Sequence, residues 1–254
     1  NPLPRHVEVP GGMVNAIGLQ GPGVEGFVSR YMPRLRATGV PVIVNIWGAD
    51  SDEYGEVASR LEAAGGVAAL ELNVSCPNVK AGGAAFGTDL ARLAALVAAV
   101  RRRTRLPLIV KLAPNVPDIA PFARAAVESG ADALSLINTL PAMVIDIETR
   151  RPVLANRVGG LSGPAIHPVA VKLVWDAARA VKVPILAMGG IRDARQAIEF
   201  MIAGATAVAV GTANFLDPTT PLRVIDGIAD YLARHGMRSV AELTGSLKLE
   251  PPAP

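Results

Sequence analysis

The sequence is poor in cysteine, histidine and aromatic residues. It contains one cysteine and three histidines among 254 residues, and only 4% of the residues are Phe, Trp or Tyr. A single cysteine excludes an internal disulfide and indicates a reducing compartment. No stretch approaches the roughly 20 apolar residues that a membrane-spanning helix requires, and the opening segment NPLPRHVEVP has no hydrophobic signal core. We therefore expect a cytoplasmic protein without a membrane partner.

The charge pattern gives no indication of a nucleic-acid partner. The formal net charge is +3, and the basic residues are dispersed except in RRRTR (101–105). That run closes a predicted helix, where cations stabilise the carboxyl end of the helix dipole. A solvated helix end explains the run better than a nucleic-acid patch does. We expect neither nucleic acid nor a metal ion to bind.

Short apolar runs such as PVIVNI, PLIVKL and AVAVG alternate with amphipathic segments along the chain. Continuous apolar runs are typical of parallel strands that helices cover on both faces. We predict strands near 40–46, 68–74, 107–112, 133–138, 184–188 and 207–211. We predict helices near 24–38, 53–64, 88–103, 118–129, 167–181, 192–203 and 219–234.

The glycine-containing ends of the last two strands, MGGI and GTANF, favour a TIM barrel. An eight-stranded α/β barrel binds phosphate with the loops after its last two strands. Counting back makes the visible strands the third to the eighth, which leaves two strands and roughly 50 residues to be accounted for. We therefore expect one domain over 1–254, a (β/α)8 barrel without its first two strands. A doubly wound sheet would need a glycine-rich turn after its first strand, and that turn is not found.

One connection, over residues 139–166, is much longer than the others. Within it VIDIETRRPVLAN alternates like a β-hairpin, and GGLSGPA (159–165) reads as a flexible loop. Long insertions at the strand-exit face usually cover a site or contact a partner. We expect this insertion to cover the site.

Polar residues and glycines stand where the apolar strands end. These residues are Asn45, Asn73, Cys76, Lys111, Asn138, Thr139, Gly189, Gly190, Gly211 and Thr212. Strand ends of a barrel meet at one face, so these residues are candidates for a single pocket. Asparagine amides suit a planar polar heterocycle, although turn or capping duty explains any one of them. The glycines let backbone N–H groups approach a phosphate.

Lys111 is unusual because the chain uses arginine twenty times and lysine only five times, yet places a lysine inside LIVKLAP. A buried ammonium is costly unless it is paired. The side chain could extend to solvent or pair with a core carboxylate. It could equally face a bound anion or an electron-rich ring.

Cys76 lies in NVSCPNVKAGG, directly after a predicted strand. A lone cysteine is most often an inert buried residue. At a strand exit, among glycines and asparagines, this thiol would be accessible. None of the three histidines is at a predicted strand end, so acid–base chemistry on a bound ring fits better than acyl transfer.

Seven segments together resemble the dihydroorotate dehydrogenases, specifically the class 1B catalytic subunit. They are NAIGL, NVSCPNVKAGGAAFGTD, VKLAPNV, INTL, LANRVGGLSGPAIHPVA, MGGI and AVAVGTANF. The similarity runs in the correct order from about residue 1 to residue 218. NVSCPNVK with INTL distinguishes class 1B from class 1A and from class 2, which carries serine at the position of Cys76.

The resemblance implies a TIM barrel that holds FMN and oxidises dihydroorotate to orotate in pyrimidine biosynthesis. Cys76 would take the proton from C5 of the substrate while a hydride leaves C6 for the flavin. Lys111 would face the N1/O2 edge of the isoalloxazine ring.

The resemblance also assigns the binding residues. FMN would contact Asn45, Asn73, Lys111 and Ile137, with Gly163, Gly189, Gly190, Gly211 and Thr212 around its phosphate and ribityl chain. Dihydroorotate would contact Asn15, Ala16, Ile17, Gly18, Leu19, Asn73, Asn78, Asn138 and Thr139.

Class 1B enzymes pair with a subunit that carries FAD and a 2Fe-2S cluster and passes electrons to NAD. The resemblance therefore implies such a partner, with a homodimer of this chain inside a heterotetramer. The family's first two strands, with a lysine that touches FMN, are not found in the sequence. Three alternatives stay open: another FMN-dependent dihydropyrimidine oxidoreductase, a non-catalytic fragment, and a flavin-free phosphate-binding lyase or isomerase.

Overall fold

The protein forms one large parallel sheet, one small antiparallel sheet and a layer of helices. A computed structural model describes residues 1–74 and 86–249. The strands are β1 (His6–Val9), β2 (Gly12–Asn15), β3 (Ile43–Ile46), β4 (Ala69–Asn73), β5 (Leu108–Lys111), β6 (Ala133–Leu136), β7 (Leu140–Ala142), β8 (Ile145–Asp146), β9 (Arg151–Pro152), β10 (Gly159–Ser162), β11 (Ile185–Met188) and β12 (Ala207–Ala209). The helices are α1 (Gly23–Gly26), α2 (Met32–Ala37), α3 (Ser51–Ala64), α4 (Leu90–Arg101), α5 (Ala120–Glu128), α6 (His167–Ala180), α7 (Ala194–Ala203) and α8 (Thr220–Arg234), with one π-helical turn at Phe27–Tyr31 between α1 and α2.

The six predicted strands form one parallel sheet in the order β12-β11-β6-β5-β4-β3. Every neighbouring pair in this sheet is parallel. Successive helices from α3 to α8 pack side by side in chain order, which is the arrangement of an α/β barrel wall. The predicted α/β class is therefore confirmed. Each predicted helix is observed within a few residues of its predicted bounds, except that the helix predicted at 24–38 is divided into α1 and α2 by the π-helical turn.

The two faces of the parallel sheet differ in polarity. Side chains that face the helices are apolar and fully buried, as Leu72, Val110 and Leu134 are. The alternate positions in β3 to β6 carry Asn45, Glu71, Asn73, Lys111 and Ser135. Because side chains alternate across a strand, the outer face builds the core and the inner face presents polar groups.

A second, antiparallel sheet in the order β1-β2-β10-β7 joins the start of the chain to the long insertion. The expectation of a flexible loop at 159–165 is wrong for its first half, because β10 pairs with both β2 and β7. Glycine disfavours strands in isolation, but here it is required by close packing. A Cβ built on Gly160 would lie only 1.9 Å from Oγ1 of Thr139.

The hairpin expected in the insertion is confirmed: β8 and β9 pair antiparallel, with Ile145 opposite Pro152. None of the helices over residues 1–74 and 86–249 is long and apolar enough to cross a membrane. Within those same ranges, no cluster of three or more His, Cys, Asp or Glu is placed to hold a metal ion.

The outer face of the sheet should dominate the stability of the fold. Leu72 is fully buried in the main core, so Leu72→Ala should lower the free energy of unfolding by about 2–5 kcal/mol through lost transfer energy and a cavity. The matched control is Leu222→Ala on α8, where the side chain is 63% exposed; it should change stability by less than about 0.5 kcal/mol. Urea denaturation measures both, and equal losses would contradict this assignment of the core.

Candidate active site

The inner face of the parallel sheet holds an amide–carboxylate pair in which the carboxylate is buried and the amide is exposed. Asn45 on β3 stands opposite Glu71 on β4, and Asn45 Nδ2 donates to Glu71 Oε2 at 2.5 Å. Glu71 is only 7% exposed, and its second oxygen, Oε1, is buried without a hydrogen-bond partner among the described residues. The amide nitrogen of Asn45 donates to the carboxylate. The carbonyl oxygen of the same side chain can therefore accept a hydrogen bond from another group.

Lys111 lies beside this pair at the end of β5. It stands opposite Asn73 on β4 and opposite Ser135 on β6. Ser135 Oγ is buried and has no hydrogen-bond partner in the described part of the chain. Lys111 is half-buried, and no ion pair or hydrogen bond of its ammonium is present within residues 1–74 and 86–249. The alternative in which a core carboxylate neutralises Lys111 is therefore not observed there.

Four of the expected substrate residues are connected by hydrogen bonds or close contacts. Asn138 Nδ2 lies 3.4 Å from Asn73 Oδ1, and the backbone N–H of Thr139 donates to Asn138 Oδ1 at 2.8 Å. Asn15 lies opposite Gly160 in the small sheet, and Gly160 in turn packs against Thr139. The small sheet therefore brings Asn15 to the same end of the barrel wall as Asn73.

The remaining members of the 15–19 loop are placed differently. Both backbone groups of Ala16 are already used, since its N–H donates to Arg5 O at 2.7 Å and its carbonyl accepts from Asn1 Nδ2 at 2.8 Å. Ile17 is half-buried. Gly18 and Leu19 line a cleft of about 580 Å³ that also includes Asn45.

Three of the expected phosphate-site glycines form a tightly packed turn. Gly163, Gly189 and Gly190 have φ values of 99°, 135° and 74°, a region that favours glycine. A Cβ on Gly190 would lie 2.7 Å from Gly163 O, and one on Gly189 would lie 3.5 Å from Cγ1 of the buried Ile137. The space that a side chain would need is filled by Gly163 O and His167 Cβ at Gly190, and by Ala170 Cβ, 2.8 Å away, at Gly189.

Gly211 and Thr212 follow β12, next to the turn after β11. A Cβ on Gly211 would meet nothing within 4 Å, so open space adjoins this backbone. Thr212 begins a single 3-10 turn, Thr212–Phe215. Further along, the Thr219 hydroxyl and then the Thr219 backbone N–H hold the pKa of Asp217 below its usual range.

Cys76 and Asn78 lie outside the described residues. The described residues on either side meet at the carboxyl end of β4, because a Cβ on Gly87 would lie 2.5 Å from Val74 O. Tyr54 on α3 is fully buried, and its hydroxyl donates to Asn73 O at 2.8 Å. This contact fixes the end of β4 from the helical side.

Comparisons with known proteins identify the family. A family model described as dihydroorotate dehydrogenase matches residues 1–232. The chain is 57% identical over 249 residues to the dihydroorotate dehydrogenase B (NAD(+)) catalytic subunit of Geotalea daltonii, covering 98% of this chain and 82% of that protein. It is also 57% identical over 246 residues to the protein of the same name from Desulforudis audaxviator, covering 97% and 80%. The chain belongs to the dihydroorotate dehydrogenase family.

Family membership agrees with the geometry at the strand ends. The fold of the family is the TIM barrel, and the parallel sheet with its flanking helices is a wall of that barrel. The chain is similarly related to the catalytic subunit from Geobacter sp. strain M21, at 55% identity over 249 residues. The expectation of a flavin-free lyase or isomerase is not supported by these relatives.

Several polar residues of this site were not predicted from the sequence. Glu71 and Ser135 each occupy one position in an apolar strand, in LELN and LSL. Glu71 stands two residues before Asn73, so the two side chains lie on the same face of β4. Ser135 stands opposite Lys111 on the neighbouring strand and therefore faces the same way. Tyr54 and His167 have no such signal in the sequence, because each lies on a helix and contacts a strand end that is distant along the chain.

The glycine turn yields a stability prediction. Gly190→Ala should lower the free energy of unfolding by roughly 2–4 kcal/mol, because it adds a positive φ penalty and a clash with Gly163 O. Gly236→Ala is the matched control: Gly236 has φ 66° and nothing within 4 Å, so it should lose only about 1 kcal/mol. Urea denaturation in the absence of ligands gives both values. Similar losses for the two variants would show that the turn is not crowded.

Proposed function

We propose that this protein is the catalytic subunit of a class 1B dihydroorotate dehydrogenase. It oxidises dihydroorotate to orotate in pyrimidine biosynthesis. The observation that carries the proposal is the polar inner face at the strand ends, with Lys111 between Asn73 and Ser135, in a chain of this family. The reaction removes a proton from C5 and a hydride from C6 of the substrate.

The residues present fit FMN as the cofactor. Asn45, Asn73, Lys111 and Ile137 would hold its ring, and Gly163, Gly189, Gly190, Gly211 and Thr212 would surround its phosphate and ribityl chain. Two observations support the fit: polar atoms on the inner face are buried without a partner among the described residues, and the glycine turn has no room for added side chains. Bound FMN supplies the acceptor for the hydride from C6.

Lys111 contributes fixed positive charge. In this proposal its ammonium would lie beside the N1/O2 edge of the ring and would stabilise the negative charge that the ring gains as the substrate is oxidised. A preorganised charge in a partly desolvated site stabilises that development more strongly than the same charge would in water. Because Lys111 makes no ion pair with a described residue, its charge is not neutralised by the part of the protein seen here.

The substrate would be held by amides and its proton taken by a thiolate. Asn15, Ala16, Ile17, Gly18, Leu19, Asn73, Asn78, Asn138 and Thr139 are the proposed substrate residues. The sulfur of Cys76 would accept the C5 proton. An ordinary cysteine has a pKa of about 8.5. Turnover should therefore rise with pH as the thiol ionises.

A second subunit would complete the electron path. The relatives are named catalytic subunits of NAD(+)-linked enzymes, which supports a partner that receives electrons from this chain. We propose that this partner carries FAD and a 2Fe-2S cluster, that two copies of each subunit form a heterotetramer, and that the assembly works in the cytoplasm.

Replacing Lys111 tests the role of its charge. Lys111→Met keeps the length of the side chain and removes the ammonium, so kcat should fall on the order of 10²-fold. Lys172→Met is the control, because Lys172 is exposed on α6 and its ion pair among the described residues is with Asp176; its kcat should stay unchanged. Orotate formation measured by absorbance decides the matter, and full activity in Lys111→Met would remove the assigned role.

Replacing Cys76 tests the base. Cys76→Ala should leave FMN bound, as judged by the flavin absorbance, and should nearly abolish turnover at neutral pH. Cys76→Ser should be far less active than wild type, since a hydroxyl is a far weaker base than a thiolate. It should retain a little activity at high pH, where more of the hydroxyl is ionised. Wild-type rates in Cys76→Ala would exclude Cys76 as the base.

Two remaining alternatives are separated by simple measurements. A dihydropyrimidine oxidoreductase would oxidise dihydrouracil in preference to dihydroorotate. A non-catalytic fragment would purify colourless, whereas the proposed enzyme binds FMN and is yellow.

A further inference from the structure

His167 is the first residue of α6 and is buried next to the Gly189–Gly190 turn. Its side chain is 8% exposed, and its ring packs edge-on against Phe200 with the ring centroids 5.0 Å apart. Nδ1 lies 3.1 Å from Gly189 O, and Nε2 lies 2.7 Å from Glu199 Oε2. The ring therefore connects the strand end after β11 to α7.

The partners of His167 fix its proton count. A carbonyl oxygen can only accept a hydrogen bond, so Nδ1 must carry a proton. An ionised carboxylate also only accepts, so Nε2 must carry one as well. Glu199 is 41% exposed, and its other oxygen forms an ion pair with Arg195 Nε at 3.4 Å. Held in this way, His167 would donate from both ring nitrogens, with Glu199 and Arg195 as the charged groups around it.

The Cβ atom of His167 also lies close to the turn. A Cβ on Gly190 would lie 2.9 Å from Cβ of His167 and 3.1 Å from Cα of Pro164. Gly163 O lies on the same side, 2.7 Å from that position. The turn after β11 is thus enclosed by the start of α6, and its only side-chain hydrogen bond among the described residues is the one from His167 to Gly189 O.

We propose that His167 is a positioning residue for the cofactor phosphate. As an imidazolium held by Glu199, it binds the Gly189 carbonyl and thereby keeps the backbone N–H groups of the Gly189–Gly190 turn directed at the phosphate. This inference rests on the proposed function, because it takes the FMN phosphate as the ligand of that turn. His167 itself does not contact the reacting atoms.

Three variants and one spectroscopic measurement test this role. His167→Phe keeps an aromatic ring against Phe200 and removes both donors, so FMN affinity should fall on the order of tenfold. Glu199→Gln has the same shape and lets the ring lose one proton while Nδ1–H still reaches Gly189 O, so its loss of affinity should be smaller. Arg124→Gln is the control, since Arg124 is exposed on α5 and takes no part in this network, and it should bind FMN as wild type does. The recovery of flavin fluorescence on dilution measures FMN release.

Nitrogen-15 NMR of the imidazole rings supplies a readout that a purely structural role would not move. The chain has only three histidines, and His167→Phe identifies the signal of His167. The proposal predicts two protonated ring nitrogens in the wild type and one in Glu199→Gln. A bare nitrogen in the wild type would overturn the proton count, and unchanged FMN affinity in a folded His167→Phe would overturn the positioning role.

The design also separates this inference from the proposed function. If His167→Phe does not fold, the FMN affinity and ring protonation of Glu199→Gln decide, and wild-type values for both would overturn the inference. If the wild type neither binds FMN nor oxidises dihydroorotate, the proposed function fails. In that case the positioning role fails with it, while two protonated nitrogens would still support the imidazolium.

Discussion

Parallel strand pairing in a fixed register is the constraint on which the site depends. It sets Asn73, Lys111 and Ser135 side by side on three neighbouring strands. A shift of one residue in any strand would turn its polar side chain into the helical layer and an apolar one inward. The buried leucines of the outer face oppose that shift, so the core that stabilises the sheet also places the chemistry.

The inner face carries polar groups that the described protein does not fully satisfy. Glu71 Oε1, Ser135 Oγ and the indole nitrogen of Trp47 are buried without partners among the described residues. Such groups destabilise a fold unless a ligand, water or another part of the protein satisfies them. These polar groups lie at the strand ends, as the glycine turn does. Binding of a ligand therefore explains their presence better than folding of the chain does.

Much of this could be predicted from the sequence, and the exceptions have physical reasons. The strand and helix periods predicted the parallel sheet, because each strand is a short apolar run bounded by turns. Strand β10 escaped prediction because its glycines disfavour a strand locally. Contacts in the folded protein require them, with Thr139 at Gly160 and with Asn15 O at Gly159. His167 escaped because its partners stand 22 and 32 residues away, a proximity that no local pattern records.

The most direct test of the central claim is a crystal structure of the protein with FMN and orotate. The account predicts that Lys111 Nζ lies within hydrogen-bonding distance of the isoalloxazine ring, that Cys76 lies next to C5 of orotate, and that the phosphate rests on the turn held by His167. A flavin bound away from the inner face, with Lys111 directed into solvent, would contradict it.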